Sequence, residues 1–179
     1  VSSYTAEAVA EQEKRDESGA DALTHLDQAG RARMVDVTQK NDTAREAVAR
    51  AVVELGPELV DRLFRGDLPK GEAIGVARIA AIQGAKETSR LIPLCHPIPL
   101  SGVEVAIERC AKGAVEVRVT ARCRGVTGVE MEALTGAMAG ALTLYDMCKA
   151  VEKGIRIGPV ELLRKEGGKS GTWERDGRG

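Results

Sequence analysis

Val103-Glu104-Val105-Ala106-Ile107-Glu108-Arg109-Cys110-Ala111-Lys112-Gly113-Ala114-Val115-Glu116-Val117-Arg118-Val119 is the stretch on which the fold turns. Val103, Val105 and Ile107 alternate with Glu104, Ala106 and Glu108, which is the two-residue period of a strand with one apolar face. Lys112-Gly113 supplies a turn, and the alternation resumes with Val115, Val117 and Val119. The stretch predicts an antiparallel hairpin with one dry face, which must be covered by apolar partners.

The covering elements lie on either side. Downstream, Thr127-Gly128-Val129-Glu130 has the T-x-x-E form of a capping box and opens a long helix through Met131, Leu134, Met138, Leu142 and Tyr145, ending near Gly154. A last strand follows from Ile155 to about Lys165, with Gly158-Pro159 implying a bulge or an edge position. Upstream, three prolines around Cys95-His96 make Leu91 to Pro99 an extended, rigid connection. The segment Glu72 to Arg90, small or apolar almost all round, predicts a helix held closely between neighbours. A helix from Glu58 to Gly66 precedes it, and Thr43 to Glu46 suggests another capping box whose helix runs to Gly56-Pro57. Met34-Val35-Asp36-Val37 reads as a short strand. Mostly antiparallel strands with helices on one face give an α+β sandwich of the ferredoxin-like type.

A chain of 179 residues is long enough for one domain with a real core. Residues 1–22 are expected to be a flexible extension, 23–171 a single domain and 172–179 a tail. The core must be aliphatic, because Tyr4, Phe64, Tyr145 and Trp173 are the only aromatic residues. That scarcity and a formal net charge of -1 argue against a nucleic-acid partner, which needs stacking faces and a basic surface. No apolar run approaches a membrane span or a secretory signal, so a soluble cytoplasmic protein is expected. Cys95, Cys110, Cys123 and Cys148 stand far apart with no CxxC pair, which predicts reduced thiols and no dedicated metal site.

Asp146 and Lys149 lie three positions apart on an apolar helix and so share one face. They are either a surface ion pair or reacting groups. Glu130 has a capping role to fill, whereas Glu132, in the first turn, either answers the helix dipole or reads a heterocycle's donors and acceptors. Glu132 and Asp146 are fourteen positions apart, about 20 Å along one side of the helix. That spacing suits the two ends of a nucleotide-sized ligand or two pockets at a subunit interface. His96, fixed by prolines, is a candidate site residue or a hydrogen-bonded structural histidine. Gly167-Gly168-Lys169-Ser170-Gly171 has the look of a phosphate loop, but Leu163 stands where that pattern needs its first glycine and no helix follows. It remains a loop suited to touching an anion. Lys70, Lys149, Lys153, Lys165 and Lys169 are the candidate lysines to meet one, against the alternative that most lysines are solvated surface charges.

Met34-Val35-Asp36-Val37 with Arg45-Glu46-Ala47, Lys70-Gly71, Leu91-Ile92-Pro93-Leu94-Cys95-His96-Pro97, Thr127 to Leu134, Tyr145 to Ala150 and Gly167 to Gly171 together resemble the MoaC family of molybdenum cofactor biosynthesis. The likeness spans about Leu23 to Gly171. It implies a lyase that rearranges a 3′,8-cyclised GTP intermediate to cyclic pyranopterin monophosphate and releases pyrophosphate. By motif position it implies substrate binding by Leu94, Cys95, His96, Met131 and Glu132, acid-base chemistry at Asp146 with Lys149 beside it, and a further site lysine at Lys70. Lys165 and Lys169 would help neutralise the leaving pyrophosphate, a task a Mg²⁺ ion could share. The resemblance also implies a homo-oligomer, a hexamer built from dimers, with the site between subunits. Lys70 and Asp146 would then meet across an interface. Val126 departs from the polar or basic residue often found there in the family.

Overall fold

A computed structural model describes residues 29–32, 34–35, 37, 42–168 and 171–175. The chain divides into two units, 1–36 and 37–179. In the first, Ala29-Gly30 forms a turn. The expected extension over 1–22 lies outside the described residues.

The second unit is built around the hairpin read from the sequence. Strands β2 (Leu100–Ala111) and β3 (Ala114–Gly125) pair antiparallel across the Lys112-Gly113 turn, where Gly113 has φ 82°. Val115, Val117 and Val119 are fully buried on the dry face, each stabilising the fold by roughly 1.5–3 kcal/mol through burial alone. Strand β1 (Thr43–Glu54) pairs with β3 on one side. On its other side lies β4 (Arg156–Glu166), which in turn pairs with the two-residue β5 (Trp173–Glu174), giving the antiparallel order β2-β3-β1-β4-β5. The bulge expected at Gly158-Pro159 is present: Ala51 faces Val160 and Val53 faces Ile157, leaving two residues of β4 opposite Val52.

The helix expected from Thr43 is instead strand β1. The T-x-x-E signal is outweighed by a two-residue period just beyond it, since Ala47, Ala49, Ala51 and Val53 are all 0% exposed. A central strand has both rows of backbone groups satisfied by neighbours, so alanine's helix preference is overridden. Met34, Val35 and Val37 lie outside any strand, and Asp36 is outside the described residues.

Between β1 and β2 come α1 (Pro57–Arg65), α2 (Ala73–Lys86) and α3 (Thr88–Leu91); between β3 and β4 comes α4 (Glu130–Cys148). The Glu72 carboxylate caps α2, accepting from the Gly75 N–H at 2.7 Å. Helices α2 and α4 pack closely on the alanine and valine face of the sheet. Gly136 and Gly140 are required because a Cβ at either would press on Val119 or Val117 and on the backbone of α2. The opposite face is charged: Arg50 bridges Glu116 and Glu161, and Arg122 bridges Glu46 and Glu104. The α+β class with helices on one face is therefore as the sequence indicates.

Helix contact sets a first expectation. A side chain at Gly84 would strike the Ala139 Cβ and approach the Thr135 carbonyl at 3.1 Å. Gly84→Val should cost about 2 kcal/mol by overpacking, measured as a lower denaturation midpoint at unchanged slope. An unchanged midpoint would show that the helices separate freely.

Candidate active site

The C-terminal end of α4 carries the first cluster. Asp146 lies in the last turn and Lys149 is the C-cap residue, so the helix stops short of the expected Gly154. Lys70 arrives from the turn after Leu68-Pro69, between α1 and α2. Its ammonium donates to Asp146 Oδ2 at 2.7 Å and to the Asp146 carbonyl at 2.8 Å, one of the carbonyls a helix end leaves without an intrahelical partner. Lys149 Nζ stands 2.7 Å from the other oxygen, Asp146 Oδ1.

One carboxylate is thus held between two ammonium groups. The Lys149 hydrogen bond first, then that of Lys70, hold the Asp146 carboxyl down at about 2. The same contact pushes the Lys149 ammonium up. All three side chains are open to water, with Asp146 and Lys149 each 53% exposed. At such exposure ion pairs add little stability, whereas a net positive cluster with an ionised carboxylate at its centre suits a polyanion and a mobile proton. Lys70 and Asp146 meet within one chain, so the expectation that they meet across an interface is corrected.

A second cluster lies at the N-terminal end of α4. Glu132 is 3% exposed, and its Oε2 has no hydrogen-bond partner among the described residues. Burial, aided by the charge of Glu130, raises its carboxyl to about 7. The Pro-fixed loop brings Cys95 within electrostatic reach of Glu132: burial pushes the Cys95 thiol up, and the Glu132 charge pushes it further. Cys123, on β3, responds to Glu132 in the same way. Leu94 and Met131 are 36% and 37% exposed beside this group, and His96 is half-buried. Lys165 reaches over from β4 to pair with Glu130 at 3.1 Å. Lys169 lies outside the described residues.

Two details differ from the sequence reading. Val129, not Thr127, is the N-cap, and no side chain caps the helix, so the Thr127–Glu130 box does not form. Arg45 has a role that the sequence does not signal. Its guanidinium donates to the carbonyls of Gly125 at 3.2 Å and Val126 at 3.4 Å, tying the turn before α4 to the start of β1. An arginine in an alternating strand gives no signal of such a role, because the carbonyls it meets are about eighty residues away.

The two clusters are fourteen residues apart on α4, about 21 Å at 1.5 Å per residue. Within one chain the structure therefore brings Asp146, Lys149 and Lys70 together, and separately Cys95, Glu132 and the neighbours of each. It does not join the two groups.

The chain matches the MoaC family model over residues 34–168. It belongs to the MoaC family. Among curated proteins similar to it is the cyclic pyranopterin monophosphate synthase of Roseiflexus sp. (strain RS-1), 54% identical over 155 residues, covering 86% of this chain and 98% of that one. The protein of the same name from Chloroflexus aurantiacus (strain ATCC 29366 / DSM 635 / J-10-fl) is 54% identical over 154 residues, covering 86% and 94%. Both clusters of this MoaC-family chain fall inside the matched residues.

The buried acid gives a measurable pH effect. A carboxyl whose folded value is raised from 4.5 to about 7 makes the native state hold a proton that the unfolded chain has released. Its stabilising contribution is complete below 4.5, falls as the pH rises through that interval and is lost above about 7. Glu132→Gln should flatten this decline, which is on the order of 2 kcal/mol between pH 5 and 8. Parallel stability curves for the two proteins would show that Glu132 is ionised throughout.

Proposed function

We propose that the protein is a cyclic pyranopterin monophosphate synthase, a lyase that converts the 3′,8-cyclised GTP intermediate to cyclic pyranopterin monophosphate with release of pyrophosphate. The observation that carries this reading is the Asp146 carboxylate held between Lys70 and Lys149, in a chain 54% identical to two proteins of that name.

Opening and reclosing a purine-derived ring needs repeated proton transfer, and expelling pyrophosphate builds negative charge. Asp146 is a poor base while both ammonium groups hold it at about 2. A phosphate oxygen that draws one ammonium away lifts that depression, so substrate binding itself prepares the carboxylate to accept a proton. The other ammonium stays to orient it. At the far end, Glu132, Cys95, His96, Leu94 and Met131 receive the heterocycle, with a neutral Glu132 donating and accepting at once. Lys165 adds positive charge there, and Lys169 is proposed to do so from its place in the family motif alone.

A ligand of this size cannot use both ends of α4 on the same chain unless it bridges about 21 Å. We infer that a second copy supplies the missing half, in a hexamer built from dimers. Val76, Ile79 and Leu142, exposed at 46%, 71% and 54% on the outer helical layer, are consistent with such contacts. The sheet order β2-β3-β1-β4 and the β-α-β-β-α-β succession support the ferredoxin-like reading of the scaffold. No helix among the described residues is long and apolar enough to cross a membrane. From the GTP-derived substrate we infer a cytoplasmic enzyme. A Mg²⁺ ion, if one takes part, would share with the lysines the neutralisation of the leaving pyrophosphate.

Purified protein mixed with the cyclised intermediate should release pyrophosphate and yield the oxidisable pterin product in equal amounts. Binding of the intermediate without either product would leave a binding module and overturn the enzyme reading.

A further inference from the structure

Glu130 is in the first turn of α4, where a carboxylate normally serves the free N–H groups or the helix dipole. Here it caps nothing. Its side chain bends back over Gly128, so closely that a Cβ on Gly128 would collide with the carboxylate, and from there it meets the Lys165 ammonium at 3.1 Å. Both side chains are mostly shielded, 29% and 32% exposed. Lys165 stands opposite Ala47 on β1, so the pair ties β4 to the N-terminal end of α4, beside Met131 and Glu132.

We propose that Glu130 is a positioning residue: through the space left by Gly128, it holds the Lys165 ammonium ready for an acceptor oxygen of the substrate. This rests on the reading above that Lys165 contacts the substrate. A lysine side chain on its own loses several rotamers when it is fixed, and a carboxylate that fixes it beforehand removes that cost from the binding step.

The proposal has a sign that charge alone does not. Glu130 adds negative charge beside a polyanion's site, so Coulomb repulsion predicts that Glu130→Gln tightens substrate binding. Positioning predicts the reverse. Gly128→Ala makes the distinction sharper, because it keeps both charges and displaces only the mobile end of the Glu130 side chain, a small disturbance to the fold.

The test measures KM and kcat for the cyclised GTP intermediate, with melting temperatures as controls. Lys165→Ala should raise KM about 30-fold and lower kcat as well, whereas Glu130→Gln and Gly128→Ala should each raise KM about 10-fold with kcat within about 3-fold. Adding Glu130→Gln to Lys165→Ala should raise KM no further, because there is then nothing left to position. An unchanged or lower KM in Glu130→Gln and Gly128→Ala, with Lys165→Ala impaired, would overturn the positioning role and leave Lys165 as a substrate contact. An unimpaired Lys165→Ala would overturn both. Additive losses in the double variant would equally overturn it, since Glu130 would then act independently of Lys165.

Discussion

Asp146→Asn is expected to lower kcat by about 1,000-fold while helix content and assembly stay as they are. Asparagine keeps the size and one acceptor oxygen for Lys70 or Lys149, but it cannot accept a proton and no longer offsets two ammonium charges. The residue is 53% exposed, so its replacement disturbs no packing and the loss should be one of chemistry. Lys149→Ala removes the contact that contributes most to the low carboxyl value of Asp146. Its carboxyl should move back toward the ordinary range, observable by NMR titration as a midpoint above about 2. In the parent protein the Asp146 carboxylate is charged at every pH above that value. The ion pairs it makes are therefore present above the usual carboxylate range and are lost only as the pH falls toward 2. No acid limb of kcat/KM should therefore appear in the ordinary carboxylate range from Asp146, and Glu132, which works neutral and titrates at about 7, should set the alkaline limb. Activity of Asp146→Asn within a few-fold of the parent would remove acid-base chemistry from this end of α4.

The sequence was informative where one physical signal dominated. Alternation of Val115, Val117 and Val119 beyond a glycine turn pointed to a hairpin with one dry face, and the small, apolar run from Glu72 to Arg90 required close neighbours, which α4 provides by setting Ala139 against Gly84. It misled where two signals competed. Ala47, Ala49 and Ala51 have good helix propensity, and their period-two burial gains meaning only when β3 and β4 lie alongside. The candidate site shows the same division. Asp146 and Lys149 were legible as a pair because three positions on a helix fix their mutual distance. Lys70 joins them from seventy-six residues away, by a turn whose path is set by the packing of α1 and α2, which no local pattern encodes. Glu130 matched a capping box in letters, but the N-cap is Val129 and not Thr127, and the freed carboxylate found Lys165 instead.

The spacing along α4 leads to the second large effect. His96 lies next to Cys95 at the Glu132 end, whereas Asp146 lies about 21 Å away at the other. If each working site takes one end from each of two chains, His96→Ala and Asp146→Asn proteins are complementary even though both are nearly inactive alone. A hybrid dimer of the two holds one site with both defects and one with neither. Lys70→Ala with Asp146→Asn, by contrast, is a pair from a single cluster, and its hybrids should stay inactive because every site inherits a defect.

The measurement that tests the split site most directly is therefore product formation by His96→Ala and Asp146→Asn subunits, unfolded, mixed in equal amounts and refolded together, with subunit exchange verified by mass. Random pairing makes half of the dimers hybrid, each with one intact site of two, so activity should recover to about a quarter of the parent's, far above either variant alone. Exchange without recovery would mean that both ends of the site come from one chain, and would contradict the account.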